Sequence, residues 1–108
     1  MSLSTHVLDV ARGEPARGVP VRLQRYDAPA WVDVADGRTD TDGRLRDWVP
    51  AAKWRAGTYR LTFDTATCLG ADAFFPEVTV VFSVADAQLH LHVPLLLSPF
   101  GYTTYRGS

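Results

Sequence analysis

Two histidines stand two residues apart in the run Q-L-H-L-H-V-P-L-L-L, at His90 and His92, and the third, His6, sits in L-S-T-H-V-L-D. On a strand, residues i and i+2 point to the same face. His90 and His92 would thus present two imidazoles together, while Leu89, Leu91 and Val93 point the other way. An imidazole titrates near neutrality, so it can take a proton from water at working pH. The same spacing, completed by His6, also suits three imidazoles around a catalytic zinc. Against that reading, no Asp or Glu beside the pair is placed to orient the rings from behind. Plain structural histidines are the third possibility. Arg44 is a further candidate. It leaves the turn D-T-D-G-R on a fixed backbone, and a guanidinium is always charged and carries several donors. It is either a solvated cation or an anchor for a carbonyl-rich anion.

Other chemistries are set aside by their own requirements. D-T-D-G-R looks like part of a calcium loop, but placing Gly43 at the sixth position puts Arg38 first and Val49 last, where carboxylates are needed. There is no G-x-S-x-G elbow and no glycine-rich phosphate loop before a helix. Ser4, Ser98 and Ser108 carry no signature of a nucleophile. The single cysteine, Cys68, cannot form an intrachain disulfide and reads as a small buried hydrophobe. That cysteine usage fits a cytoplasmic location.

The elements that must position these residues follow from apolar alternation. Strands are expected over 3–10, 19–26, 31–39, 58–64, the part of 74–84 after Pro76, 88–97 and, as a last edge strand, 102–106. Pro20 belongs at a strand start, and Gly37 is a candidate bulge. Asp42-Gly43 predicts a hairpin, with R-L-R-D-W-V returning as a short strand that puts Arg44 and Arg46 on one face. The stretch D-T-A-T-C-L-G is the best helix candidate, with Asp64 or Thr65 as cap and Gly70 as stop. Many short strands at intervals of roughly ten residues and at most one short helix argue an all-β sandwich. A length of 108 residues predicts one domain over 1–108, and 46% apolar residues are enough for one core. A net charge of −1 with no basic run gives no footprint for nucleic acid or an anionic membrane. The start shows no signal peptide, and V-P-L-L-L is far too short to span a bilayer.

Taken together, L-S-T-H-V-L-D, T-D-T-D-G-R, F-F-P-E-V and the closing H-L-H-V-P-L-L-L-S-P-F-G-Y-T-T-Y-R-G-S resemble the transthyretin-related 5-hydroxyisourate hydrolases, over residues 3–108. The final Y-R-G-S is the most specific of these motifs. The resemblance implies a transthyretin-like sandwich of two four-stranded sheets with one short helix. It implies a homotetramer, a dimer of dimers, with sites in the channel between dimers. The implied reaction is hydrolysis of 5-hydroxyisourate, the product of urate oxidation, to 2-oxo-4-hydroxy-4-carboxy-5-ureidoimidazoline, with no cofactor and no metal. By the same resemblance His6, Arg44, His92 and Ser108 are catalytic. His6, Arg44, Tyr105, Arg106 and Gly107 contact substrate, with Gly107 expected to permit a turn. His90 receives no defined role. The sequence departs from the family at Leu91, often Tyr in relatives, and is trimmed around the short helix. A transthyretin-like binding protein without catalysis is the alternative.

Overall fold

The computed structural model describes residues 2–108, the side chain of Asp72 aside. The strands are β1 (Leu3–Asp9), β2 (Glu14–Pro15), β3 (Pro20–Asp27), β4 (Ala30–Arg38), β5 (Arg44–Leu45), β6 (Gly57–Phe63), β7 (Val78–Val84), β8 (Leu91–His92), β9 (Leu95–Ser98) and β10 (Gly101–Thr104). One α-helix, α1 (Ala66–Leu69), is described, with single 3-10 turns at Ala51–Lys53 and Gly70–Asp72. No helix among the described residues is long and apolar enough to cross a membrane.

The strands form two sheets. In one, β4, β3, β6 and β7 lie in that order, all antiparallel. In the other, β1 is central. On one side it pairs in parallel with β8 and then β9, which share a single register, Leu3 opposite Leu91 and Val7 opposite Leu95. On the other side it pairs antiparallel with β5 at Thr5 and His6 and with β2 at Leu8 and Asp9. Strand β10 closes the sheet against β9. The six segments thus occupy four rows, and the sandwich expected from the sequence is the one observed.

The reason is the period of two. Leu3, Thr5, Val7 and Asp9 of β1 face inward and are buried, while Ser4, His6 and Leu8 face out and are half-buried. Facing sheets bury Leu23, Leu61, Phe63 and Tyr59 from one side against Leu95 and Leu97 from the other. Each such side chain contributes about 1.5–3 kcal/mol on burial. Helix α1 ends at Gly70, whose φ of 68° stops it. Its cap residue is Thr65, but the Thr65 hydroxyl donates to the Phe75 carbonyl instead of the helix.

Three local expectations are corrected. The run 88–97 is not one strand, because Pro94 has no N–H for the ladder and splits it into β8 and β9. The carbonyls at the break are satisfied by side chains: the Thr5 hydroxyl donates to Val93 O at 2.6 Å and the Thr104 hydroxyl to Pro94 O at 2.8 Å. The irregularity in β4 does not fall at Gly37. Pairing with β3 skips Val34, between Ala35 opposite Leu23 and Asp33 opposite Gln24. Gly37 instead makes room, since a Cβ there would lie 2.9 Å from Leu45. Finally, Asp42-Gly43 does not turn β5 back onto β4. The chain crosses between sheets and β5 pairs with β1.

That crossing depends on Gly43. Its φ is 75°, its carbonyl accepts from Val7 N–H at 2.8 Å, and an added Cβ would meet Val7 O at 2.5 Å. The left-handed conformation alone costs other residues about 1–2 kcal/mol. Gly43→Ala is therefore expected to lower Tm by at least about 4 °C in a thermal melt, more than a substitution at exposed Gly13, where a Cβ meets nothing.

Candidate active site

The outward face of β1 carries Ser4 and His6, and the strands on either side bring the rest. Ser4 is the register partner of His92 on β8, and His6 is that of Arg44 on β5. Backbone bonds lock the first pair: Leu91 N–H donates to Ser2 O and Val93 N–H to Ser4 O. Two residues far apart in sequence on each side are thus held within one strand spacing of each other.

A cavity of about 350 Å³ opens on this face, lined by Ser4, Arg44, Arg46, His90, His92 and Ser108, among others. The Ser4 Oγ lies 2.7 Å from His92 Nδ1 and 2.9 Å from His90 Nε2. His92 lines this cavity, and its Nε2 has no hydrogen-bond partner among the described residues. His6 does not line it. Its Nε2–H donates to the Asp42 carbonyl at 2.8 Å, a bond that commits this nitrogen to the turn. Arg44 is half-buried, and its guanidinium makes neither a hydrogen bond nor an ion pair among the described residues. Asp47, also lining the cavity, sits at φ 55°, a conformation non-glycine residues seldom adopt.

The turn that delivers Arg44 is built by Asp40, which sequence reasoning did not single out. Its Oδ1 accepts from Asp42 N–H at 2.8 Å and from Arg44 N–H at 2.9 Å. The Arg44 N–H bond leads in holding the Asp40 carboxyl below its ordinary range. An Asp two residues before the next turn amide is a recognisable signal, so D-T-D-G-R contained this information. Ser4 had no such signal, because its importance comes only from the β1–β8 pairing.

The closing tetrapeptide divides. Gly107 N–H donates to His92 O at 2.8 Å, which docks the last residues beside the imidazole and brings Ser108 into the cavity. Gly107 does not serve a left-handed turn. A Cβ there would lie 2.5 Å from His92 Cδ2, so the glycine is needed for clearance. Tyr105 and Arg106 do not join the histidines. They line a second, largely apolar cavity of about 250 Å³ with Phe82, Leu89, Leu91 and Val93. Leu91 faces inward there, away from the His92 ring, as alternation requires.

The sequence profile of the HIUase/Transthyretin family matches residues 3–107. The chain belongs to this family. Among HIUase/Transthyretin relatives, it is 45% identical to the 5-hydroxyisourate hydrolase of Mus musculus, over 98% of this chain and 94% of that protein. The structure of Klebsiella pneumoniae 5-hydroxyisourate hydrolase superposes with a TM-score of 0.84 at 37% identity, covering all of both chains. Sea bream transthyretin, solved in complex with thyroxine, superposes with a TM-score of 0.91 at 33% identity, over 99% of this chain and 95% of that one. Similarity in fold therefore reaches both a hydrolase and a transthyretin solved with thyroxine, and the side chains of the site have to separate them.

Electrostatics set the state of His92. Burial lowers its pKa, and the Arg44 guanidinium, His6 and His90 lower it further. The ring therefore stays neutral, with a lone pair to offer, at pH values where an ordinary histidine of pKa about 6.5 is already charging. In an NMR titration His92 is expected to protonate below that value, and Arg44→Ala to move it upward by removing a positive neighbour. Gly107→Ala is expected to shift the His92 ring resonances strongly with little loss of Tm, since it perturbs a terminal contact and not the core.

Proposed function

We propose that this chain hydrolyses 5-hydroxyisourate in urate degradation, with His92 as general base and Arg44 as the electrophilic anchor. The observation that carries this reading is the juxtaposition in one cavity of the His92 imidazole, whose pKa is lowered chiefly by burial, with a half-buried Arg44 guanidinium that has no partner among the described residues. Water held near His92 Nε2 loses a proton to it as its oxygen bonds to the ring carbonyl carbon. Arg44 holds the carbonyl oxygen and stabilises the charge that develops there. The acyl C–N bond then breaks, and the departing nitrogen takes the proton that His92 had accepted. A carboxylic acid and a ureido group result, and the acid loses the second water proton to solvent to become the carboxylate. His6 buttresses the turn through Asp42 and adds to the field that keeps His92 neutral. Ser108 supplies a hydroxyl to water or substrate.

The cavity lies on the outer face of a sheet, so one chain supplies a single wall. We infer that the protein assembles as a homotetramer, a dimer of dimers, and that an opposing copy closes the site. Edge strands β7 and β10 each pair on one side only, which is where a further copy can add. Tyr105 and Arg106, turned away from the histidines of their own chain, are then read as contributing to substrate binding through the assembled channel. A cytoplasmic enzyme acting without a metal or other cofactor completes this reading.

Urate oxidase generating 5-hydroxyisourate in a cuvette gives a direct test, with the ultraviolet decay followed with and without the protein and with and without a chelator. Accelerated decay, indifferent to chelator, is expected. His92→Asn is expected to reduce kcat by roughly 10²–10⁴-fold, and Arg44→Ala by roughly 10²–10³-fold, with a sizing column showing the tetramer intact. Acceleration lost on chelation would assign the histidines to a metal. No acceleration from a verified tetramer would favour the ligand-binding alternative, which the likeness to sea bream transthyretin keeps in view.

A further inference from the structure

We propose that Ser4 is a positioning residue that joins His90 and His92 into one proton relay, so that His92 is reset through Ser4 and not through the substrate cavity alone. The inference rests on the reading of His92 as base. It starts from a count of protons. The Ser4 hydroxyl sits between two imidazole nitrogens, 2.7 Å from His92 Nδ1 and 2.9 Å from His90 Nε2. A serine hydroxyl has one proton to donate and lone pairs to accept with. It can therefore donate to one ring only while the other donates to it.

Two states follow. In the first, Ser4 donates to His90 Nε2 and His92 Nδ1–H donates to Ser4. His92 Nε2 is then a bare lone pair facing the cavity, the form a base needs. In the second, His90 Nε2–H donates to Ser4 and Ser4 donates to His92 Nδ1. His92 Nε2 then carries the proton, the form an acid needs. Moving between them shifts protons without net charge in the serine. When His92 Nε2 takes a proton from water, its Nδ1 proton passes to Ser4 Oγ and the Ser4 proton passes to His90 Nε2. His90 becomes the cation, and when the departing nitrogen takes the His92 Nε2 proton the relay runs back, His90 Nε2 returning a proton to Ser4 and Ser4 one to His92 Nδ1. His90 is exposed whereas His92 is half-buried, so the charge ends at the wetter ring. A hydroxyl between two nitrogens within hydrogen-bond reach needs no movement of the backbone for this.

The surroundings favour export. The groups that line the cavity with His92 are Ser4 from β1, Arg44, Arg46 and Asp47 from β5 and the residues after it, Ser108 from the closing segment, and His90 just before β8, while His6 acts on His92 through its charge from outside the cavity. Arg44 and the two other imidazoles all oppose positive charge on His92, and burial does so most. The relay also gives His90 a role, which the sequence left open.

The test combines rates with ¹⁵N histidine NMR on the full-length protein. Ser4→Ala is expected to lower kcat roughly 10–100-fold, the range for partners that orient a functional histidine. Ser4→Thr, which keeps the hydroxyl, is expected to recover most of it. His90→Gln retains a hydrogen-bonding group but cannot be charged, and is expected to lower kcat with KM nearly unchanged. In the wild type, without substrate, titrating His90 is expected to change the His92 Nδ1 shift, and in Ser4→Ala the rings are expected to titrate independently. Wild-type kcat and unchanged nitrogen shifts in a folded Ser4→Ala overturn the relay. So does a rate loss that Ser4→Thr fails to recover while the ring coupling persists. If the wild type itself does not hydrolyse 5-hydroxyisourate, the functional reading fails, and the nitrogen shifts alone still decide whether the rings are coupled through Ser4.

Discussion

The parallel pairing of β1 with β8 is the constraint on which the site depends. It sets Ser4 against His92 by backbone bonds, so the hydroxyl and the imidazole meet without flexible side chains having to search for each other. Both residues lie on the outward side of strands whose inward residues, Leu3, Thr5, Leu91 and Val93, are buried. A one-residue slip of either strand would put those apolar groups into water and the polar ones into the core. Hydrophobic burial therefore fixes the register, and the register fixes the chemistry.

Pro94 gives this arrangement its second feature. By ending the ladder it frees the carbonyls around it, and three different partners take them up. Thr5 bonds Val93, Thr104 bonds Pro94, and Gly107 bonds His92. The last bond ties the closing residues to the imidazole they serve. Gly107 can come so close because it has no side chain to collide with the ring. A break in one strand thus becomes the anchor for the segment that completes the cavity.

On the opposite flank, the turn from Asp40 to Arg44 carries the cation across from the other sheet. Asp40 takes both turn amides and Gly43 adopts the conformation that lets the chain approach Val7. Arg44 then arrives beside His6, its guanidinium without a partner among the described residues. A guanidinium beside an imidazole whose pKa it lowers is poor for stability, and such perturbed groups cluster at functional sites. The same neighbours that disfavour a charged His92 make an exit for its proton valuable, which is the physical sense of a serine and a second histidine behind it.

The sequence by itself determined the alternation that makes a β sandwich, the shared face of His90 and His92, the tight turn before Arg44 and, through its motifs, the family. These are short-range properties, fixed by the period of a strand or by the turn chemistry of Asp and Gly. Only the tertiary structure decided that β5 joins β1 instead of β4, that Pro94 divides a run of perfect alternation, and that Gly107 is there for clearance. It also decided that Tyr105 and Arg106 part company with Ser108, and that Ser4 stands between two imidazoles. Each of these depends on which strand lies beside which. Period-two patterning tells inside from outside but assigns no neighbour, and the neighbour across the ladder is what turns a serine in a strand into part of a site.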